Sequence, residues 1–82
     1  MQSRVAIMAI IVENTQAATP INALLHEYGQ YIIGRMGLPY ARRNISLISV
    51  AIDAPQDVIS ALTGKIGNIP QVSVKTVYSK LE

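Results

Sequence analysis

The sequence predicts a single α+β domain, in which a four-stranded antiparallel sheet carries two helices on one face. Four apolar segments, at residues 4–13, 31–38, 45–53 and 72–78, predict strands. Two segments between them repeat apolar residues at the spacing of one helix face. The chain has 82 residues and no Pro/Gly/Ser-rich linker, so we expect one domain over residues 1–82.

Residues 4–13 are apolar at nearly every position, which is typical of a strand covered on both faces. The run is far shorter than the roughly 18 residues that a membrane-spanning helix needs, and we expect no membrane association. The chain contains no cysteine and is therefore compatible with a reducing cytoplasm, where we expect it to be located.

The first helix follows this strand, and its start has two candidate positions. Asn14 and Thr15 offer side-chain oxygens for capping, whereas Pro20 would suit the first turn of a later start. Gly29 is placed to end the helix in a left-handed conformation. The apolar stripe of the helix consists of Ile21, Leu24, Leu25 and Tyr28.

The second strand, residues 31–38, contains Gly34 and Gly37 on either side of Arg35. Glycines inside a strand often mark a bulge, or a place where a ligand or another backbone comes close. The polar segment 39–44 contains proline and asparagine, so it predicts a hairpin leading to the third strand.

A second helix and a fourth strand complete the chain. Asp53 and Pro55 mark the predicted helix start. Gly67 is the predicted end, and Pro70 prevents the helix from resuming before the strand at 72–78. The buried face of this helix is predicted to consist of Val58, Ile59, Leu62 and Ile66.

The resulting order, βαββαβ, is that of ferredoxin-like domains, whose helices cover one sheet face only. The first and third strands nevertheless carry apolar side chains on both sides. Each Ile, Val or Leu left in water loses about 1.5–3 kcal/mol of available burial. Only 15% of the residues are charged, against about 25% in typical domains. We therefore predict a homo-oligomer, a dimer or tetramer formed through the sheet face or an edge.

No residue pattern predicts catalysis, a metal or a cofactor. His26 is the single histidine, and first-row metals require several such ligands. Asp53 and Asp57 lie at a helix start, where carboxylates are favoured for structural reasons. The glycines at 64–67 fall at a helix end, where carbonyls point outward, so they suit helix termination better than phosphate binding. We expect a protein that is not an enzyme.

Direct DNA binding is the least favoured of the functions considered. The net charge is +2, and Arg42 and Arg43 could combine with Arg35, Lys65 and Lys75 into a basic patch. Paired arginines in a hairpin turn are more often a solvated tip, and both predicted helices are needed to cover the sheet. No third helix is available for a helix-turn-helix.

Three segments of the chain resemble a small family named for the regulation of iron-only hydrogenase systems, which is itself similar to ACT-type regulatory domains. These segments are Arg-Met-Gly-Leu-Pro at 35–39, the stretch 62–76, and the first apolar run into Glu13. The most specific part is Gly-Lys-Ile-Gly at 64–67. The resemblance covers essentially the whole chain and implies a cytoplasmic, oligomeric, ferredoxin-like (ACT-like) regulatory domain.

ACT domains commonly bind small effectors at subunit interfaces, near the loop between the first strand and first helix. The resemblance therefore implies candidate ligand-binding residues in that loop and in the glycine-bearing second strand. These candidates are Glu13, Asn14, Thr15, Gly34, Arg35 and Gly37. The structural alternative, which we favour, is that Asn14 and Thr15 cap the helix and the glycines relieve crowding.

Two leading hypotheses follow. In the first, the chain is an effector-sensing regulatory domain in which a small molecule, bound between subunits, alters association. In the second, it is an oligomerisation module that senses no ligand and docks a partner protein through its sheet.

Overall fold

The structure is a computed structural model that describes residues 2–80. Its element order is βαββαβ, which confirms the predicted ferredoxin-like α+β fold. Short 3-10 turns at Thr15–Ala17 and Gly29–Tyr31 flank the first helix. The main elements are β1 (Ser3–Val12), α1 (Ala18–Glu27), β2 (Ile32–Tyr40), β3 (Ile45–Pro55), α2 (Gln56–Gly67) and β4 (Val72–Tyr78).

The four strands form one antiparallel sheet in the order β2-β3-β1-β4. β1 therefore lies in the interior and pairs along its whole length with β3, from Ser3 opposite Pro55 to Val12 opposite Ser46. β2 and β4 are the edges. Because directly opposite residues project from the same side of a sheet, this register assigns each side chain to one of two faces.

The core lies between the sheet and the two helices. Alternate residues of β1 and β3 project under the helices, and each helix contributes one apolar stripe, as predicted from the sequence. Full burial of one such Leu or Ile side chain stabilises the fold by about 1.5–3 kcal/mol. The largest fully buried side chains are Met8, Ile10, Ile21, Val50, Ile52, Ile59, Leu62 and Ile66.

Nothing within residues 2–80 covers the opposite side of the sheet. We expected β1 to be covered on both faces; in the structure, its residues alternate between buried and exposed because both helices pack on the same side. We call this second side the open face. By register and exposure, its large apolar side chains are Val5, Ile7, Ile11, Met36, Leu38, Tyr40, Leu47 and Val77.

A bulge in β2 decides which of its side chains reach the open face. Ile32 and Gly34 lie opposite consecutive residues of β3, so Ile33 is an extra residue. One extra residue reverses the side from which every later side chain projects. Arg35 consequently lies opposite the buried Val50, on the side of the helices. The bulge that the glycines predicted is confirmed.

Three predicted element ends are wrong. β2 continues through Pro39 and Tyr40, which were predicted to belong to the hairpin connection. Asp53 does not begin a helix, because β3 continues through it to Pro55 and places it opposite Val5. Pairing with β1 extends the strand, and α2 starts at Gln56 with no side-chain cap. Gly29 does not adopt a left-handed conformation, since no glycine among residues 2–80 has a positive φ. The chain reverses there through the 3-10 turn instead.

The Gly-Lys-Ile-Gly segment forms the end of α2, which stops at Gly67 as predicted. Its lysine joins the two helices: Lys65 Nζ donates to the hydroxyl oxygen of Tyr28 over 2.8 Å and lies 3.9 Å from a carboxylate oxygen of Glu27. The hydrogen bond to Tyr28 raises the pKa of the Lys65 ammonium above its usual value. This lysine therefore serves packing between helices.

Leu62 is fully buried beneath the sheet, whereas Leu24 is only partly buried. We expect Leu62→Ala to lower the free energy of unfolding by about 2–5 kcal/mol, because it removes apolar contacts and leaves a cavity. Leu24→Ala, the matched control, should cost clearly less. Urea unfolding of both variants at one protein concentration measures the difference, and equal losses would contradict this description of the core.

A candidate ligand-binding groove between α1 and β2

Two adjoining clefts lie on the helix side of the sheet, between α1 and the strands β2 and β3. Asn22 of α1 lines both, so they follow one another along the helix. We call them together the α1–β2 groove. The first cleft, of about 310 Å³, is lined by Val12, Asn14, Thr15, Ala18, Asn22, Pro39, Tyr40, Ala41, Asn44, Ile45, Ser46 and Ile48. The second, of about 270 Å³, is lined by Asn22, Leu25, His26, Gly29, Ile32 and Arg35.

The groove exists because the helix layer does not reach across the β2 edge. Every residue of β2 after Ile32 is exposed, including those that project toward the helices. Gly37 is one of these, lying opposite Ile48. A Cβ atom added at Gly37 would meet no atom within 4 Å, so this part of the strand borders open space. The same is true of Gly34, so the prediction that these glycines relieve crowding is wrong.

Amides and hydroxyls supply the polar lining of the first cleft. Asn14 Oδ1 accepts a hydrogen bond from the Gln16 N–H at 3.0 Å, and Nδ2 donates to the carbonyl oxygen of Pro70 at 3.3 Å. Asn14 therefore caps the 3-10 turn that leads into α1, whereas α1 itself begins without a side-chain cap and Thr15 is a residue of the turn, not a cap. Asn44, with a φ of 58°, occupies the left-handed region in the hairpin turn on the other side of the cleft.

The second cleft differs in charge. Two of its lining side chains can carry a charge, Arg35 from β2 and His26 from α1, and both are cationic when charged. Arg35 reaches this cleft only because of the bulge described above. His26 lies on the exposed side of α1, as the helical spacing predicted.

The six predicted ligand-binding residues do not come together in one site. Asn14 and Thr15 line the first cleft and Arg35 lines the second. Glu13, Gly34 and Gly37 are in neither lining. The backbone N–H of Glu13 donates to the Gln71 carbonyl at 2.9 Å, and Gly34 lies on the open face.

The sequence did not single out, as ligand-binding candidates, five polar lining residues, which are Asn22, His26, Tyr40, Asn44 and Ser46. Asn22 directly follows a buried residue of the α1 stripe, His26 is on the same helix, and the other three lie in or beside the β2–β3 hairpin. A polar residue beside the apolar stripe was the one available signal, and such residues are common at the solvent boundary of any amphipathic helix.

The basic residues do not form a single patch. Lys75 projects from the open face opposite Ala9, and Lys65 lies at the end of α2 beside Tyr28. Arg35 lines the groove, while the two arginines at 42–43 lie in the hairpin turn. Positive charge is thus dispersed over separate surfaces.

Among residues 2–80, no three His, Cys, Asp or Glu side chains lie together in a way that could hold a metal ion. Neither helix in that part of the chain has the length and apolar character needed to cross a membrane.

Comparison with known proteins identifies the family. The model of the TM1266-like family, described as "Iron-only hydrogenase system regulator, putative", matches residues 4–76. The chain belongs to this family. The solved structure of the uncharacterized protein TM1266 from Thermotoga maritima has a TM-score of 0.92 and 36% sequence identity, and the match covers 96% of this chain and 100% of that one. No curated protein matches the sequence.

More distant structures share the fold. The C-terminal domain of the MgtC protein from Mycobacterium tuberculosis has a TM-score of 0.70 and 15% identity, covering 95% of this chain and 89% of that one. A formyltetrahydrofolate deformylase from Pseudomonas putida KT2440 has a TM-score of 0.66 and 11% identity, covering 89% of this chain but 28% of that one. Identities this low show the common fold alone.

The two adjacent loop residues Asn14 and Thr15 differ in their structural role, and this can be measured. We expect Asn14→Ala to lower the free energy of unfolding by about 0.5–2 kcal/mol, because it removes the cap. Asn14→Asp should restore only part of that loss, since aspartate accepts the hydrogen bond from Gln16 but cannot donate to the Pro70 carbonyl. Thr15→Ala, the control, should stay within about 0.5 kcal/mol. Denaturant unfolding gives all three values, and a larger loss at Thr15 would contradict the assignment of the cap.

Proposed function

We propose that this member of the family is a small regulatory domain that forms homo-oligomers through its open face and senses a small effector in the α1–β2 groove. The observation that carries the proposal is the apolar open face. Its exposed side chains include Ile7 at 52%, Met36 at 69% and Val77 at 71%. No other part of residues 2–80 covers these side chains, so contact with another molecule would bury them, and patches of this kind mark interaction sites.

The open face is continuous across the sheet. In one row of the register, Ile11 lies beside Leu47, which lies beside Leu38. Toward its margins the face carries two charges of opposite sign, Asp53 on β3 and Lys75 on β4. A second copy packed face to face would bring the same apolar rows together, and the opposite charges allow a self-complementary, isologous contact.

The β2–β3 hairpin connects association with effector binding in this proposal. One side of the hairpin contributes Met36 and Leu38 to the open face, while the other side contributes Pro39 and Ser46 to the groove. A molecule bound in the groove would hold the hairpin in one position relative to α1. If the effector binds more tightly when the hairpin is in the position found in the oligomer, its binding strengthens association by that difference in affinity.

A second candidate rests on the same face. If the groove takes no ligand, the open face still supports an oligomerisation module that docks a partner protein, without sensing. Regulation of transcription by either form would then depend on a partner that carries its own DNA-binding domain, because the basic residues here are dispersed.

Association through the open face predicts that Ile7→Lys converts an oligomer to a folded monomer, because it places a charge at the centre of the apolar contact. Ala61→Lys, on the exposed side of α2, adds the same charge elsewhere and should leave the oligomer intact. Multi-angle light scattering at tens of micromolar, with circular dichroism to verify folding, measures both. A wild-type chain that is strictly monomeric would contradict the proposal.

Effector sensing predicts that some small molecule stabilises the protein. A screen by thermal shift against amino acids, nucleotides and divalent metals should find at least one that raises stability by about 2.7 kcal/mol at 100 times its dissociation constant. The same compound should change the oligomer mass or its concentration dependence. Absence of any shift across the panel would favour the module that does not sense a ligand.

A further inference from the structure

We propose that the α1–β2 groove binds a small organic anion, with its carboxylate or phosphate group held between Arg35 and His26 and its uncharged body lying in the first cleft. This inference deepens the effector site and in that respect rests on the proposed function. It assigns the chemical class of the ligand and the end of the groove that recognises its charge.

The charge of the groove is one-sided. Neither cleft lining includes an aspartate or glutamate, and the two chargeable side chains of the second cleft are cationic when charged. The sequence has no acidic residue between Glu27 and Asp53. Glu27 directly follows His26 in the sequence, and its carboxylate oxygen lies 3.9 Å from Lys65 Nζ of α2. An anion entering the second cleft therefore meets no like charge from the lining.

The Arg35 guanidinium is available to a ligand. Within residues 2–80 it makes no hydrogen bond or ion pair, whereas Arg4 is held by Gln56 and lies over the ring of Tyr78. A guanidinium presents donors in a planar fork that matches carboxylate and phosphate oxygens in pairs. Because Arg35 is exposed, its donors face solvent beside the cleft and are open to such a group.

The bulge places this side chain. Without the extra residue Ile33, the alternation of β2 would put Arg35 on the open face among apolar side chains. With it, Arg35 lies on the same side as Asn22 and His26 of α1 and lines a cleft with them. Bulges commonly re-aim a side chain beside a binding site.

The first cleft suits an uncharged body. Its polar side chains are amides and hydroxyls, and Val12 and Ile48 add apolar surface. The two clefts, of about 310 and 270 Å³, together fall within the range of about 300–1,000 Å³ that is typical of small-ligand sites. The ligand class is therefore an anion with a compact neutral body, and a dianion charged at both ends fits less well.

The test uses three probes of similar shape, benzoate, phenyl phosphate and the neutral benzamide, added to the ¹⁵N-labelled 82-residue chain and followed by amide NMR shifts. We expect benzoate or phenyl phosphate to shift the signals of Asn22, Gly29 and Arg35, with benzamide at least about tenfold weaker. The anion with the lower dissociation constant shows whether the site favours a carboxylate or a phosphate.

Variants supply the matched control. Arg35→Gln should raise the dissociation constant of the anion about tenfold or more, and Arg35→Lys should have an intermediate effect because it keeps the charge without the fork. Arg42→Gln removes an identical charge from the hairpin turn, outside both cleft linings, and should leave binding unchanged. The wild-type pattern of the remaining amide signals verifies folding of each variant.

Three results would overturn the inference. They are equal binding of benzamide, equal weakening by Arg42→Gln, and the absence of any shift with either anion at about 10 mM, a concentration on the order of weak fragment affinities. Anion binding without any change in oligomer mass would support the site while removing its proposed role in sensing. Oligomerisation without anion binding would leave the open face as proposed and remove the anion site.

Discussion

The structure depends on one constraint, that β1 is apolar on both sides while both helices pack on the same side of it. Successive side chains of a strand point to opposite faces, so Met8 and Ile10 are buried beneath the helices whereas Ile7 and Ile11 are not. The hydrophobic core and the open face are thus two sides of one ten-residue strand. Folding of the monomer and the proposed association therefore depend on the same strand.

The β2 edge is the second consequence of the limited helix layer. Because the helices do not extend over it, the side of β2 that faces them borders a groove, and its other side belongs to the open face. The ferredoxin-like fold hosts many functions and implies none by itself. The functional proposals therefore rest on this edge and on the open face, and family membership supplies their regulatory context.

The sequence by itself determined the order and type of the elements. The fourth strand, Val72–Tyr78, is found at its predicted residues because Gly67 and Pro70 separate it from α2 and its apolar residues alternate. The helical stripes were also predictable, since their spacing is a local property of 3.6 residues per turn. Asn14 as a cap follows from its side chain alone.

Only the tertiary structure decided which surface each side chain of β2 reaches. The glycines indicated a bulge, but its consequence for Arg35 depends on the exact pairing with β3, a contact between residues distant in sequence. Asp53 was equally suited to cap a helix or to continue a strand, and its pairing opposite Val5 made it part of β3. The position of the groove likewise depends on how far α1 covers the sheet, which is a property of the packing. Local periodicity specifies a strand, whereas the side from which a residue projects is set by register, and register is a long-range property.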